Sequence, residues 1–109
     1  MARLLIAAAI LALQAAAAAG QEPIRLQASR GGFKPKVITI RKGEVAHIVL
    51  TTADVEHCFA VDPLRIEKRI VPGKSTELDL VSDHAGTLPF YCCLEAEDEA
   101  QKGRIVVTE

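Results

Sequence analysis

The most constraining feature of this sequence is a series of short runs of strand-forming residues, each followed by turn residues. The runs include IRLQAS (24–29), KVITIRKGE (36–44) and VAHIVLTT (45–52). Such spacing is typical of an all-β sandwich or barrel and argues against a helical or α/β fold. Apolar and polar residues alternate in the first two runs, as expected for strands with one buried face. We predict about eight strands in one domain.

Two connections contain recognisable turn residues. Lys42-Gly43 predicts a hairpin-type turn. The segment VPGK (71–74) predicts a second turn, because Pro presets one central dihedral angle and Gly accepts a positive φ. Helical composition is confined to LEAEDEAQK (94–102), where we expect one or two helical turns.

The first 20 residues have the composition of a secretory signal peptide. Arg3 is followed by an apolar run over residues 4–13, and alanines precede a cleavage position after Ala19 or Gly20. The run is shorter than the roughly 20 apolar residues that a membrane span needs. We therefore expect a signal peptide over 1–20, a single domain over 21–109 without a membrane span, and a periplasmic or secreted protein.

Charge and size exclude several classes of function. Only Arg3 is charged within residues 1–20, so residues 21–109 carry 12 Lys and Arg against 14 Asp and Glu, a net charge of −2. This balance gives no basis for binding nucleic acid or an anionic membrane. A chain of this length forms one domain with a modest core. With no Trp and few aromatic residues, that core is expected to consist of Val, Ile and Leu, and we expect a monomer.

All three cysteines, Cys58, Cys92 and Cys93, lie in the part of the chain that would reach an oxidising compartment. An odd number there implies one disulfide plus one thiol with another role, or an intermolecular bridge.

His57 and Cys92 are the strongest candidates for metal ligands. Imidazole nitrogen and thiolate sulfur together suit copper or zinc. Both residues are expected at strand–loop junctions, where side chains from different strands can converge. His47 lies in an apolar run and is expected either at the edge of its packing or in a hydrogen bond, and His84 is expected to be solvated in a loop.

The order of motifs around this pair resembles the cupredoxin family, which includes the copper domain of cytochrome c oxidase subunit II. The motifs are FKPKVITIRKGE (33–44), DVEHCFAV (54–61), IVPGKSTELDLV (70–81), AGTLPFYC (85–92) and KGRIVV (102–107). The resemblance implies a Greek-key β-sandwich with a metal site at one end. A histidine from an inner strand would meet a cysteine, a second histidine and an axial methionine from one loop. His57 matches the first histidine and Cys92 matches the cysteine.

The loop after Cys92 departs from the family pattern at two ligand positions. It fits, without a gap, the azurin spacing of Cys, four residues, His, three residues, Met, one residue, Gly. On that register Glu97 stands for the second histidine and Gln101 for the methionine. An amide oxygen can supply the weak axial contact, whereas a carboxylate disfavours Cu(I) and would lower the reduction potential. On the register of the binuclear site of oxidase subunit II, the further ligands fall on Ala96, Ala100 and Gly103, so a binuclear site is not expected.

The resemblance also suggests a role for the other two cysteines. Blue-copper relatives commonly have an asparagine after the first histidine that ties down the residue after the cysteine ligand, and those positions here are Cys58 and Cys93. Adjacent strand residues point to opposite faces, so both would turn away from the metal. We expect a Cys58–Cys93 disulfide, which leaves Cys92 as a free thiolate. A bridge from Cys92 to either of the others would contradict the thiolate site.

The resemblance implies one copper ion bound by His57 and Cys92, with Glu97 and Gln101 as further ligands. Its role would be one-electron transfer or copper carriage with a partner protein. No residue pattern indicates a substrate pocket, and an enzyme is not expected. Two alternatives stay open: a metal-free sandwich acting as an accessory or interaction domain, and thiol–disulfide exchange at Cys92-Cys93. The acidic loop disfavours the second alternative, because it opposes formation of a thiolate.

Overall fold

The fold is that of a computed structural model, which describes residues 22–109. The predicted signal peptide lies outside the described residues. Eight strands and two 3-10 turns follow one another in the order β1 Ile24–Ala28, β2 Val37–Arg41, β3 Ala46–Thr52, β4 His57–Val61, a 3-10 turn Asp62–Leu64, β5 Ile66–Ile70, β6 Thr76–Leu80, β7 Gly86–Tyr91, a 3-10 turn Glu99–Gln101 and β8 Lys102–Thr108. The predicted all-β class and the predicted number of strands are confirmed. The helical turn expected within 94–102 is the second 3-10 turn.

The strands form two sheets that enclose one core. One sheet has three strands in the order β1-β3-β6, and the other has five in the order β2-β8-β7-β4-β5. β1 runs parallel to β3 and β2 runs parallel to β8, whereas the other neighbours are antiparallel. The chain changes sheet after β1, β2, β3, β5 and β6, which gives the Greek-key sandwich that the family resemblance implies.

The turn predicted at Lys42-Gly43 is present, but it does not connect the two strands of a hairpin. Glu44 N donates to Arg41 O over 3.1 Å, and Gly43 has a φ of 79°. This turn carries the chain from β2 in the larger sheet to β3 in the smaller one. Turn residues specify that the chain reverses, but the pairing of the strands is decided by which faces must be buried together.

The core is mainly aliphatic, as predicted, but its largest fully buried side chains are phenylalanines. The rings of Phe33 and Phe59 each lie 5.1 Å from the ring of Phe90, measured between centroids. The Phe33–Phe90 pair is edge-on, a favourable arrangement of two rings. Phe59 lies two residues after His57 on β4 and therefore points to the same face. The aromatic cluster thus lies beside His57 in the sandwich interior.

Three connections meet at one end of the sandwich. Residues 29–32 follow β1, the β3–β4 connection contains Asp54, and the β7–β8 connection spans 92–101. Arg30 N donates to a carboxylate oxygen of Asp54 over 2.8 Å, and Cys92 N donates to Gln101 O over 3.1 Å. These hydrogen bonds gather the three connections around the start of β4. In the part of the chain that the structure describes, no helix is long and apolar enough to cross a membrane.

Candidate metal centre

His57 is a buried histidine whose two ring nitrogens face different partners. Its side chain is 3% exposed. Nε2 lies 2.8 Å from Oδ1 of Asp54, and Nδ1 lies 3.9 Å from Sγ of Cys92. A carboxylate can only accept a hydrogen bond, so Nε2 carries the proton. The lone pair of Nδ1 is therefore directed toward the sulfur.

Asp54 keeps its negative charge because four hydrogen bonds converge on its carboxylate, three of them from N–H groups and a longer one, of 3.4 Å, from Oγ1 of Thr52. It accepts from Arg30 N over 2.8 Å, from Nε2 of His57 and from Val55 N over 2.6 Å. These bonds, the one from Arg30 first, hold the pKa of Asp54 well below its usual range. Sequence reasoning missed this residue, although an acidic residue three positions before a candidate histidine was visible in the DVEH motif.

Cys92 is fully buried and is the free cysteine of the described chain. It follows the last residue of β7, Tyr91, and its sulfur contacts Nδ1 of His57. The structure thus brings together the two residues that the sequence singled out as metal ligands.

The separation of these two donor atoms fits a shared metal ion. Bonds of about 2.3 Å to sulfur and about 2.0 Å to nitrogen span roughly 3.5 to 4.3 Å between the donors, depending on the angle at the metal. The observed 3.9 Å falls within this range. A thiolate and an imidazole favour copper or zinc over magnesium or calcium.

Gln101 is a buried polar residue at the same end of the sandwich. Its side chain is 1% exposed, and Nε2 donates to Ser29 O over 2.8 Å and to Arg30 O over 3.0 Å. Since both amide protons go to backbone carbonyls, the orientation of the amide is fixed. Oε1 is buried and has no hydrogen-bond partner within residues 22–109. An acceptor left in this state is costly, and a cation beside it removes the cost.

The loop that carries Gln101 is a chain of three tight turns. Glu95 N donates to Cys92 O over 3.0 Å, Asp98 N to Glu95 O over 3.0 Å, and Gln101 N to Asp98 O over 2.9 Å. The side chain of Asp98 also accepts from Ala100 N over 3.0 Å and caps the 3-10 turn. The turns return the chain to Cys92, so both ends of the loop lie at the site.

The structure places Glu97 apart from this group. Its side chain is exposed, whereas Glu95 and Asp98 border a cleft that also contains His57 and Gln101. Within residues 22–109, no set of three His, Cys, Asp or Glu ligand atoms that includes His57 and Cys92 lies within 4.8 Å of one another. Glu97 as a ligand therefore stays a prediction from the loop spacing.

The structure contains a disulfide between Cys58 and Cys93, with a Cα–Cα distance of 5.3 Å. Each of these cysteines follows a candidate ligand in the chain. β4 and β7 pair through one residue pair, Ala60 and Tyr91, and Pro89 of β7 has no N–H to donate. The disulfide therefore fastens two strands whose hydrogen-bonded contact is short.

One other group of potential ligand atoms is close together, but its two sulfurs are not free to bind a metal. The sulfurs of Cys58 and Cys93 lie near a carboxylate oxygen of Glu67. Metal binding requires thiolates, and both sulfurs are in the disulfide. For the same reason Cys92 and Cys93 do not form the vicinal dithiol that thiol–disulfide exchange requires.

The two remaining histidines lie away from the site. His47 of β3 is half-exposed and lies 2.9 Å from a carboxylate oxygen of Asp79 and 2.9 Å from one of Glu77, both on β6. His84 is exposed in the connection before β7, where its backbone bonds with the hydroxyl of Ser82.

Comparison with known proteins agrees with this architecture. The family model for the cupredoxin-like domain matches residues 2–107 of the chain. A comparison with curated protein sequences gave no significant match.

Several solved structures have the same fold. One is the periplasmic domain of subunit II of cytochrome oxidase (CoxB) of Bradyrhizobium japonicum, with a TM-score of 0.69 and 18% identity over 80% of this chain and 83% of that one. Another is the metal binding domain of the Cu(I) exporting P-type ATPase CopA of Streptococcus pneumoniae D39, solved with Cu(I), with a TM-score of 0.69 and 24% identity over 80% and 85%. A third is reduced auracyanin from Roseiflexus castenholzii, with a TM-score of 0.66 and 16% identity over 80% and 97%. At these identities the likeness shows the fold alone.

Proposed function

Because this chain belongs to the family of cupredoxin-like domains, we propose that it binds one copper ion through Nδ1 of His57 and Sγ of Cys92. Its role would be one-electron transfer or copper carriage in the periplasm or outside the cell, without enzymatic activity of its own. The observation that carries the proposal is the 3.9 Å separation of two buried donors whose surroundings are fixed. Solved structures with this fold include a domain with bound Cu(I).

Oε1 of Gln101 completes the proposed set of donors. Burial without a partner makes this oxygen the atom that gains most from a cation. An amide oxygen is a weak, hard ligand, so it suits a distant axial contact better than a primary bond. Glu97 lies outside this group and is not included in the set.

Copper alternates between Cu(I) and Cu(II) and so supplies one-electron transfer. The protein's own residues hold the donors before any ion arrives: Asp54 fixes His57, two backbone carbonyls fix Gln101, and the disulfide fixes the strands beneath them. A rigid set of donors reduces the rearrangement between the two oxidation states. Together with the complete burial of Cys92, this rigidity favours electron transfer over carriage.

The proposed partner is a redox protein or copper donor with a basic surface. The cleft at the site is bordered by the acidic residues Glu95 and Asp98 and by Leu94, whose apolar side chain is exposed. Complementary charge steers such an encounter and makes its rate depend on salt.

The test is addition of Cu(II) to the purified protein with the disulfide intact. The wild type is expected to bind one equivalent and to show an intense visible band from charge transfer between thiolate and copper. Cys92→Ser is expected to lose the band, and His57→Gln to weaken binding. A control variant, His47→Gln, removes an imidazole far from the site and should keep the band.

A metal-free interaction domain is the second candidate. It is favoured by one observation, namely that no further His, Cys, Asp or Glu of residues 22–109 converges on both His57 and Cys92. Failure of the wild type to take up either Cu(I) or Cu(II) would select this alternative and overturn the copper proposal.

A further inference from the structure

The structure assigns Asp54 a role as a positioning residue. We propose that its carboxylate fixes the tautomer of His57 and strengthens Nδ1 as a donor, so that the site favours the oxidised ion. The effect on copper rests on the proposed function, whereas the effect on the tautomer does not. Asp54 contacts His57 and none of the proposed donor atoms, so it would act through the histidine alone.

The geometry of this contact leaves His57 with one available lone pair. Nε2 donates to Oδ1 of Asp54 over 2.8 Å, and Nδ1 lies on the opposite side of the ring toward Cys92. The histidine side chain is 3% exposed, so water does not compete for Nε2. A buried imidazole with one nitrogen held in this way presents the other nitrogen in one orientation.

Asp54 is itself held by backbone groups. Arg30 N donates to Oδ2 over 2.8 Å and Val55 N donates to Oδ1 over 2.6 Å. The carboxylate therefore remains in position whether or not an ion is bound, and its orientation does not depend on an exposed side chain.

The same peptide segment also holds the third proposed donor. Arg30 N binds Asp54, while Arg30 O and Ser29 O accept from Nε2 of Gln101 over 3.0 and 2.8 Å. The backbone at residues 29–30 thus connects the histidine side of the site with the glutamine side. A change at Asp54 that moved this backbone would disturb Gln101 as well, so the test needs a variant that preserves shape.

The chemical consequence follows from charge. An anionic hydrogen-bond acceptor draws the Nε2 proton toward itself and raises the basicity of the ligating nitrogen. A more basic nitrogen stabilises Cu(II) more than Cu(I), because the ion of higher charge gains more from electron donation. The carboxylate therefore lowers the reduction potential relative to a neutral acceptor in the same place.

Asp54→Asn is the main variant, since the amide keeps the size of the side chain and an acceptor oxygen for Nε2 of His57 and Val55 N, but removes the charge and the acceptor that faces Arg30 N. Glu56→Gln is the matched control. Glu56 borders the same cleft and also carries one negative charge, but its carboxylate lies 3.0 Å from Nη1 of Arg69. Comparing the two separates the contact with His57 from the general loss of an anion near the site.

We expect Asp54→Asn to weaken Cu(II) binding by about 10- to 100-fold, as removal of such partners does elsewhere, and to weaken Cu(I) binding less. Each tenfold difference between the two losses raises the reduction potential by about 59 mV. Glu56→Gln should shift the potential by a small fraction of this. An equal shift in both variants, or none in Asp54→Asn, would overturn the claim about donor strength.

The tautomer is measured on the metal-free protein by ¹⁵N NMR of the imidazole ring. The wild type is expected to carry its proton on Nε2, and Asp54→Ala to lose this preference while Glu56→Gln keeps it. A wild-type proton on Nδ1 would overturn the inference. If the wild type takes up no copper, the proposed function fails, and this measurement still decides whether Asp54 positions His57.

Discussion

The buried sulfur of Cys92 lies 3.9 Å from Nδ1 of His57, although 35 residues separate them in the chain. The disulfide between the following residues, Cys58 and Cys93, spans the same separation of 35 residues. Cys58 and Cys92 are both buried in the core, and Cys93 packs against it, so the disulfide lies directly beside the donor pair. The covalent link therefore keeps the donor pair in register.

Replacement of both Cys58 and Cys93 by alanine is expected to lower the free energy of unfolding by about 3–4 kcal/mol, the entropy that closing a loop of this length removes from the unfolded chain. Urea unfolding of the oxidised wild type and the double variant measures the difference. Cys92→Ala keeps the disulfide and is the control, so it should lose less. Equal losses in the two variants would show that the bridge contributes little.

Gln101→Leu is expected to lower the free energy of unfolding by about 1–3 kcal/mol, because Ser29 O and Arg30 O lose the hydrogen bonds that the buried amide donates. Copper should also raise the melting temperature of the wild type more than that of the variant, since the ion loses the contact with Oε1. Gln101→Glu is the informative comparison, because it keeps an oxygen that can bind the metal but removes the N–H groups that donate hydrogen bonds to Ser29 O and Arg30 O. An equal copper-induced shift in all three proteins would remove Gln101 from the site.

The sequence was sufficient to predict the strands and the proximity of His57 to Cys92, because local patterns mark the strands and the order of motifs places the two residues. Alternating residues such as Ile38 and Ile40 mark a buried face on their own. His57 and Cys92 were found through their motifs, which fix the order of strands and hence the place where the two meet.

Features that depend on packing were not predictable in the same way. The pairing of β2 with β8 instead of β3 is decided by contacts 60 or more residues apart, such as Ile38 with Ile105. Scarcity of aromatic residues suggested an aliphatic core, yet Phe33, Phe59 and Phe90 are all buried in it. Asp54 was missed because its spacing from His57 in the DVEH motif does not show that the backbone of Arg30, 24 residues away, holds the carboxylate in place.

His47 is expected to make the stability of the smaller sheet depend on pH. Hydrogen bonds to Asp79 and then Glu77 raise its pKa above the ordinary value of 6.5. A raised pKa means that the folded state favours the protonated form, so the contribution is complete below pH 6.5 and is lost as pH rises through the folded-state pKa. Urea unfolding of the wild type and His47→Gln over roughly pH 5 to 9 should show a difference that shrinks at higher pH. A difference that stays constant, or that persists in a Glu77→Gln/Asp79→Asn background, would contradict this.

Gly32 is expected not to tolerate a side chain. It has a φ of 117°, and a Cβ there would clash with the carbonyl oxygen of Ala100, next to Gln101. Gly32→Ala should therefore both destabilise the protein and weaken copper binding. Gly43→Ala is the control: its φ of 79° is also left-handed, but a Cβ there meets nothing within 4 Å, so it should cost about 1–2 kcal/mol and leave copper binding unchanged. Equal effects of the two variants on copper binding would contradict the prediction.

Glu97 provides the sharpest test of which loop residues bind copper. Its spacing from Cys92 predicts a ligand, whereas its position in the structure predicts none. It occupies the place of the second histidine on the family register, yet its side chain is exposed, whereas Glu95 and Asp98 border the cleft. Reaching the ion would require breaking the turn in which Asp98 N donates to Glu95 O over 3.0 Å. We therefore expect Glu97→Gln and Glu95→Gln to weaken Cu(II) binding equally and slightly, through loss of one negative charge, with no change in the visible band. A larger loss in Glu97→Gln alone, with a shifted band, would identify Glu97 as a ligand and show that the loop refolds around copper.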